Sequence, residues 1–133
     1  NNYSQSNMKK VINSKNAPDP VGPYNQAILV DGTLYLSGQI ALDPKTMEMD
    51  NSSIEIETIR VLNNINSVLE EANFSFNDII KTTIFLTSME DFTVVNEIYG
   101  KRFEKESAPA RETIEVSGLP KNARIEISVI AKK

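Results

Sequence analysis

The segment SSIEIETIRVLNNINSVLEEAN, residues 52–73, decides the fold class, because its pattern is that of one long amphipathic helix. Ser52 followed three residues later by Glu55 predicts a capping box, and Asn73 predicts the C-terminal stop. The residues that recur at intervals of three and four are Thr58, Val61, Leu62, Ile65, Val68, Leu69 and Ala72. A helix with such a face must pack on a sheet or on another helix.

Strand patterns flank this helix on both sides. A short strand and a hairpin turning at Asp31-Gly32 precede it. The second predicted helix has a cap at Ser88 with Asp91, and Ala108-Pro109-Ala110 ends it; its apolar stripe is Phe92, Val95, Tyr99 and Phe103. The predicted strands are 9–12, 24–30, 33–37, 81–86, 111–116 and 124–131.

This order of elements predicts an α+β domain, with both helices on one face of a mixed sheet. The other face would then be covered by water or by another subunit. Its predicted members alternate with apolar neighbours: Arg111, Thr113, Glu115, Arg124, Glu126 and Ser128.

Length and composition limit the classes of function. At 133 residues the chain is long enough for one domain, predicted over residues 9–133. Residues 1–8 are polar and are interpreted as a disordered extension or the remnant of an engineered N-terminus. With neither cysteine nor histidine, disulfides, Cys-His or Ser-His-Asp catalysis and Cys- or His-ligated metal sites are excluded. We expect no metal and no cofactor.

Charge and hydropathy argue against two classes of partner. The formal net charge of −4 weighs against nucleic acid, because phosphate contacts need a basic surface. No apolar run approaches the roughly 20 residues that span a bilayer. We therefore expect a cytoplasmic protein without a membrane partner. An organellar address stays open, because the native N-terminus is not known from this sequence.

Two charged residues are candidates for chemistry. Arg111 opens a strand after Pro109-Ala110, and its planar fork could bind a carboxylate. A surface Arg paired with Glu126 or Glu115 is the plainer interpretation. Glu126 lies mid-strand between isoleucines and could move a proton if partial burial raised its pKa, or it could be an ordinary solvated residue.

Four further residues could line a binding cleft. Asn96 lies four residues after Phe92, in the predicted centre of an apolar stripe, and should bond to a loop, a partner subunit or a ligand. Tyr24 follows the rigid Gly22-Pro23 pair. Ser37 and Gly38 end a strand, where the glycine lets a ligand approach the backbone.

These residues occur within four blocks that resemble the reactive-intermediate deaminase (Rid) family, of YjgF type and also labelled L-PSP endoribonuclease. The blocks are Asn16–Pro18 with Val21–Ala27; Leu36–Ile40 with Asp43–Thr46; Lys81–Leu86 with Asp91, Phe92, Val95, Asn96 and Tyr99; and Pro109–Arg111 with Glu115, Val116, Leu119–Lys121 and Ile125–Ile127. One departure is Glu112, where many relatives carry a small residue.

The resemblance implies a chorismate-mutase-like (Bacillus-type) fold, a homotrimer with clefts between subunits, and hydrolysis of 2-imino acids to 2-keto acids and ammonia. Carried over by position, Arg111 would bind the substrate carboxylate, and Glu126 would orient water and handle its proton. Tyr24, Ser37, Gly38 and Asn96 would line the cleft. The alternatives are an endoribonuclease or translation inhibitor, and a non-catalytic trimer that binds small carboxylates.

Overall fold

The protein is described by a computed structural model that covers residues 8–133. Of the N-terminal extension interpreted above as disordered, all but Met8 lies outside the described residues. Within residues 8–133 the elements are β1 (Lys10–Ile12), β2 (Ala27–Val30), β3 (Thr33–Leu36), α1 (Ile54–Glu71), β4 (Ile79–Leu86), α2 (Phe92–Gly100), β5 (Ala110–Glu115) and β6 (Ile125–Lys132).

The strands form one mixed sheet in the order β1-β2-β3-β6-β4-β5. All neighbouring pairs are antiparallel except β4 and β5, which run parallel. Asp31 and Gly32 both have positive φ, as a tight hairpin between β2 and β3 requires. The predicted α+β class is confirmed. No helix between residues 8 and 133 combines the length and hydropathy needed to cross a membrane.

The ends of both helices differ from the prediction. Ser53, not Ser52, is the N-cap of α1, and its side chain accepts the Ile56 N–H. The predicted capping box is wrong, because with Ser53 as the cap the third helical residue is Ile56. The C-terminal stop is confirmed, since Asn73 adopts a left-handed φ of 62°.

The second helix is shorter than its apolar stripe suggested. It ends at Gly100, a residue that weakens helices, so Phe103 lies beyond it. Phe103 still packs on the core through Tyr99 and Phe76. Apolar spacing therefore predicted the burial of Phe103 but not its local structure.

The two helices cover one face of the sheet. Ile65, Val68 and Leu69 of α1 are fully buried in one cluster with Ile125 and Ile127 of β6. The alternating burial along β6 places Glu126 and Ser128 on the opposite, open face. This packing fixes β6 in the centre of the molecule, flanked by β3 and β4.

The prediction for the open face is wrong for three residues. Thr82, Ile84 and Leu86 of β4 are buried on the face that the helices cover. The parallel register pairs them with Arg111, Thr113 and Glu115, respectively, so these three residues lie on the same face. Sequence alternation could not decide this, because it says which residues share a face but not which face is covered. Arg124 precedes β6, and its guanidinium pairs with Asp91.

The open face is also more apolar than predicted. The registers place these apolar side chains on it: Val11, Ile28, Val30, Tyr35, Phe85, Ile114 and Ile130. Glu112 lies there too, opposite in direction to Arg111, and bonds to Lys81 and Thr83. A sheet face of this composition is suited to burial against another protein surface.

Candidate active site

One concave surface is a cavity of about 400 Å³. It lies where the loop before β2, the end of β3 and the loop before β6 meet. Four of the predicted site residues line it: Tyr24, Ser37, Gly38 and Glu126. The rest of its lining is mainly apolar, with two further charged groups; these residues are Pro18, Asp19, Val21, Gln26, Gln39, Ile40, Leu42, Pro120 and Lys121.

Glu126 contributes a carboxylate to this cavity. It lies between Ile125 and Ile127, which are fully buried, and its own side chain is half-buried. Within residues 8–133 it forms no ion pair and no side-chain hydrogen bond. Burial raises the pKa of Glu126 above that of an ordinary glutamate, because partial desolvation disfavours the charged form. A carboxyl with a raised pKa accepts a proton more readily than an ordinary glutamate does.

Gly38 leaves room for this carboxylate. A Cβ at residue 38 would overlap Glu126 Oε2, so any larger residue would displace the carboxylate. The group that approaches Gly38 in the structure is Glu126 itself, and the close approach of a ligand stays a prediction. Next to it, Gln39 and Ile127 exchange two backbone hydrogen bonds of 2.8 and 3.1 Å, which hold the end of β3 against β6.

Ser37 and Tyr24 are held by local hydrogen bonds. The Ser37 hydroxyl donates to the Asn25 carbonyl at 2.6 Å, which leaves its lone pairs available as acceptors. The Tyr24 hydroxyl accepts the Val21 N–H at 3.3 Å, and 46% of the residue is exposed. Both side chains therefore reach the cavity from an ordered backbone.

Gln26 is a buried residue that sequence analysis missed. Its side-chain amide donates to the carbonyls of Ser14 and Pro18, and its oxygen accepts the Ser14 N–H at 2.6 Å. These bonds fix the proline-rich loop that forms one wall of the cavity. The available signal was a polar residue directly before the apolar run of β2.

Arg111 lines a second, smaller cavity of about 250 Å³. The carbon of its guanidinium lies 5.0 Å from the Tyr99 ring centroid and 5.9 Å from that of Phe92. Within residues 8–133 no carboxylate pairs with it, so the interpretation as a surface pair with Glu126 or Glu115 is wrong. The fork of Arg111 is thus held flat by aromatic rings and available to an anion.

Tyr99 supports Arg111 from α2. Its hydroxyl is hydrogen-bonded to Thr82 Oγ1 at 3.0 Å, and burial raises its pKa, so the phenol stays neutral. Asn96 borders the same cavity but is exposed, contrary to the prediction that it lies in the centre of the stripe. The buried pair on this helix is Val95 and Tyr99, four residues apart, and Asn96 lies one position around from it.

The two cavities lie on opposite faces of the sheet. Glu126 is on the open face of β6, whereas Arg111 is on the helix-covered face of β5, with β4 between the two strands. The structure therefore divides the six predicted site residues into a carboxylate group and a cation group. Within one protomer, the two groups do not reach the same small molecule.

This sheet with two helices on one face is the fold of the L-PSP/YjgF class of proteins. The structure matches YyfA from Yersinia pestis, described as a conserved Rid family protein of unknown function, with a TM-score of 0.91 and 48% identity over 95% of this chain and 100% of that chain. It also matches Escherichia coli TdcF with bound serine, with a TM-score of 0.87 and 34% identity over 93% and 98%.

The family model described as Endoribonuclease L-PSP matches residues 14–133, and the chain belongs to this family, whose members are also called RutC or Rid proteins. A RutC family protein of Pyrococcus horikoshii is 50% identical over 95% of this chain and 99% of its own. The human 2-iminobutanoate/2-iminopropanoate deaminase is 41% identical over 93% of this chain and 90% of its own. The resemblance drawn from the four sequence blocks is confirmed.

Proposed function

We propose that this protein hydrolyses reactive 2-imino acids to 2-keto acids and ammonia, in sites assembled between the subunits of a homotrimer. The observation that carries the proposal is the division of complementary groups into two cavities. One cavity has a proton-accepting carboxylate and no arginine, and the other has an arginine and no carboxylate. A small anionic electrophile needs a cation that binds its charge and a carboxylate that activates water, and each cavity supplies one of these two groups.

A second copy of the chain can complete each site. The open face carries exposed apolar side chains, among them Val11, Tyr35 and Ile114, which are 43–47% exposed in the single chain. Burying such a face between copies is favourable at roughly 25 cal/mol per Å². Closed symmetry would then repeat the junction between the Glu126 half of one subunit and the Arg111 half of the next.

Arg111 is assigned to bind the substrate carboxylate. Its guanidinium offers two parallel N–H donors, and Tyr99 and Phe92 hold its plane. Asn96 adds an exposed amide at the same cavity, which could bond to the second carboxylate oxygen or to the imine nitrogen. Binding through this end leaves the imine carbon pointing towards the facing half-site.

Glu126 is assigned to activate water. The substrate reacts as the protonated imine: as the water oxygen bonds to its carbon, the C=N π electrons move to nitrogen, the carboxylate takes one water proton, and a neutral tetrahedral amino alcohol forms. The protonated Glu126 then returns that proton to the nitrogen, the C–N bond breaks as the hydroxyl oxygen forms the C=O bond, and the hydroxyl proton passes to the departing ammonia, which leaves as ammonium beside the 2-keto acid. The substrate is electrophilic enough that this scheme needs positioning and proton transfer only. For an enamine, the same carboxyl can assist tautomerisation to the imine.

Two relatives support this assignment. The human relative is named as a deaminase of 2-iminobutanoate and 2-iminopropanoate. The solved structure of TdcF contains serine, which has the α-carboxylate and α-nitrogen that a 2-imino acid also presents. The family description as an endoribonuclease favours the second candidate, although the chain lacks the histidine commonly used for acid–base work on RNA.

The test is a competition assay. An amino-acid oxidase generates imines from small L-amino acids, and semicarbazide traps those that the enzyme does not hydrolyse. The wild type is expected to suppress the trapped product, and Arg111→Ala to lose this activity by roughly 1.5–3 kcal/mol in kcat/KM, the range for a charged hydrogen bond.

Arg102→Ala is the matched control for Arg111→Ala. Arg102 also lies over an aromatic ring, at 5.4 Å from the Phe76 centroid, but lines neither cavity. Equal loss in both variants would mean that Arg111 acts through stability. A trimer that suppresses no trapping with any imine would reject the deaminase, and RNA cleavage by the same preparation that is lost in Arg111→Ala would support the endoribonuclease instead.

A further inference from the structure

Glu57 is a fully buried carboxylate in the first turn of α1, outside both cavities. Its Oε2 accepts the Arg124 N–H at 2.7 Å. Its Oε1 is buried without a partner among residues 8–133. Burying a carboxylate is costly, so a helix that packs on the core would be more stable with an apolar residue here.

The position of this N–H group explains what the carboxylate does. Arg124 directly precedes β6, and its carbonyl already accepts the Thr87 N–H. Among residues 8–133 the Arg124 N–H has no backbone acceptor, and Glu57 supplies a side-chain acceptor instead.

The segment just before β6 adds to the need for an anchor. Lys121 and Asn122 both have left-handed backbone φ values, of 55° and 54°, which residues other than glycine adopt at a cost in free energy. Pro120 and Lys121 form a wall of the Glu126 cavity. The anchored residue, Arg124, therefore lies between a strained cavity wall and Glu126.

Charged neighbours hold the same point of the chain. The Arg124 guanidinium bonds to the buried Asp91 at 2.7 Å, and the Arg124 carbonyl accepts the Thr87 N–H at 3.1 Å. Asp91, directly before α2, and Arg124, directly before β6, are the charged groups beside Glu57. Of these contacts, the one made by Glu57 holds the Arg124 N–H.

We propose that Glu57 is a positioning residue for Glu126: by accepting the Arg124 N–H directly before β6, it sets where the Glu126 carboxylate lies against Gly38. The residue that Glu57 holds lies two positions before Glu126, so a shift there moves the carboxylate. The geometric part of this inference stands on its own, and its catalytic consequence rests on the proposed function.

The first measurement is the NMR titration of the Glu126 side-chain carboxyl, assigned by its loss in Glu126→Gln. Glu57→Met keeps the length of the side chain and removes the acceptor. It is expected to move the Glu126 titration towards that of an exposed glutamate, and to speed amide exchange at Arg124 by roughly tenfold or more. Glu57→Gln keeps an acceptor oxygen and is expected to restore both.

The second measurement is steady-state kinetics on the imines that the wild type accepts. Glu57→Met is expected to lose roughly ten- to a hundredfold in kcat, as for a misplaced catalytic group, with KM within about twofold because Arg111 is untouched. Glu57→Asp keeps the charge but withdraws the acceptor by one methylene, and should show the same pattern in a chain that folds more readily. Val68→Ala, a buried change about three turns along the same helix from Glu57, should lower stability and leave kcat unchanged.

The outcomes separate this inference from the proposed function. An unmoved Glu126 titration in both Glu57→Met and Glu57→Asp overturns the positioning role, as does a rise in KM with no change in kcat. Glu57→Gln behaving like Glu57→Met would assign the effect to charge and also overturn it. A wild type that hydrolyses no imine, while Glu57→Met still moves the Glu126 titration, rejects the deaminase and keeps the positioning role.

Discussion

Glu126 is the residue at which stability and the proposed chemistry oppose each other. Burial raises its pKa, which means that the folded chain binds this proton more tightly than the unfolded chain does. The carboxyl therefore costs no stability at a pH below the ordinary glutamate pKa. The full cost of burying the charged form is present above the raised pKa. The free energy of unfolding therefore falls as the pH rises from the ordinary glutamate pKa to the raised pKa.

Replacing Glu126 by Gln is therefore expected to raise the midpoint of thermal unfolding at neutral pH and to leave it unchanged at about pH 4 or below. In the same variant kcat should fall by roughly 10²–10⁴, the usual contribution of a general base, with substrate binding retained. In the wild type, kcat should fall as pH drops through the raised pKa. Thermal melts and kcat measured across pH test both parts.

Glu97→Gln provides the comparison for Glu126→Gln. Glu97 is an exposed carboxylate on α2 that lines neither cavity. It should change neither the melting profile nor kcat. If Glu126→Gln lowered stability at neutral pH, the carboxylate would be a stabilising group rather than one buried for its chemistry.

At the scale of single elements, caps and registers decide details that patterns leave open. The apolar positions of α1 were predicted correctly because burial follows the 3.6-residue period. Its first residue was not, because Ser52 and Ser53 are both good N-caps and only the packed helix selects one. Tertiary structure also decides the orientation of β5, because its parallel register with β4 turns Arg111 towards α2.

The cap of α1 gives a direct prediction at this scale. Ser53→Ala should destabilise the protein by about 0.5–2 kcal/mol, because the Ile56 N–H loses its 3.1 Å hydrogen bond. Ser52→Ala should change the free energy of unfolding by less than about 0.5 kcal/mol, since Ser52 is exposed. Denaturant unfolding of the two variants measures the difference. A larger loss for Ser52→Ala would restore the capping box predicted from the sequence.

At the scale of the whole molecule, the open face of the sheet connects assembly with activity. A single chain leaves this face uncovered and divides the candidate site between two cavities. If three copies meet through this face, one event buries the apolar side chains and completes the sites. Loss of assembly should then abolish turnover without unfolding the protomer.

Ile114→Glu tests this link. Ile114 is 43% exposed on the open face, and a charge there should disfavour burial between copies. Light scattering should show a shift from trimer to monomer, circular dichroism should show an unchanged fold, and imine hydrolysis should be lost. Ile59→Glu is the matched control, since Ile59 is 44% exposed but lies on α1. A monomeric Ile114→Glu with full activity would place the whole site within one chain.

The sequence by itself determined the family, the α+β class, the order of elements and the helix faces, because these depend on local periodicity and on short motifs that were read correctly. It also identified Tyr24, Ser37, Gly38 and Glu126 of one cavity and Asn96 and Arg111 of the other. The tertiary structure decided which face of the sheet each of them occupies, that Asn96 is exposed, and that Glu57 and Gln26 are buried for their hydrogen bonds. These properties depend on strand register and on contacts between residues distant in the chain, such as Glu57 with Arg124, and no local pattern records them.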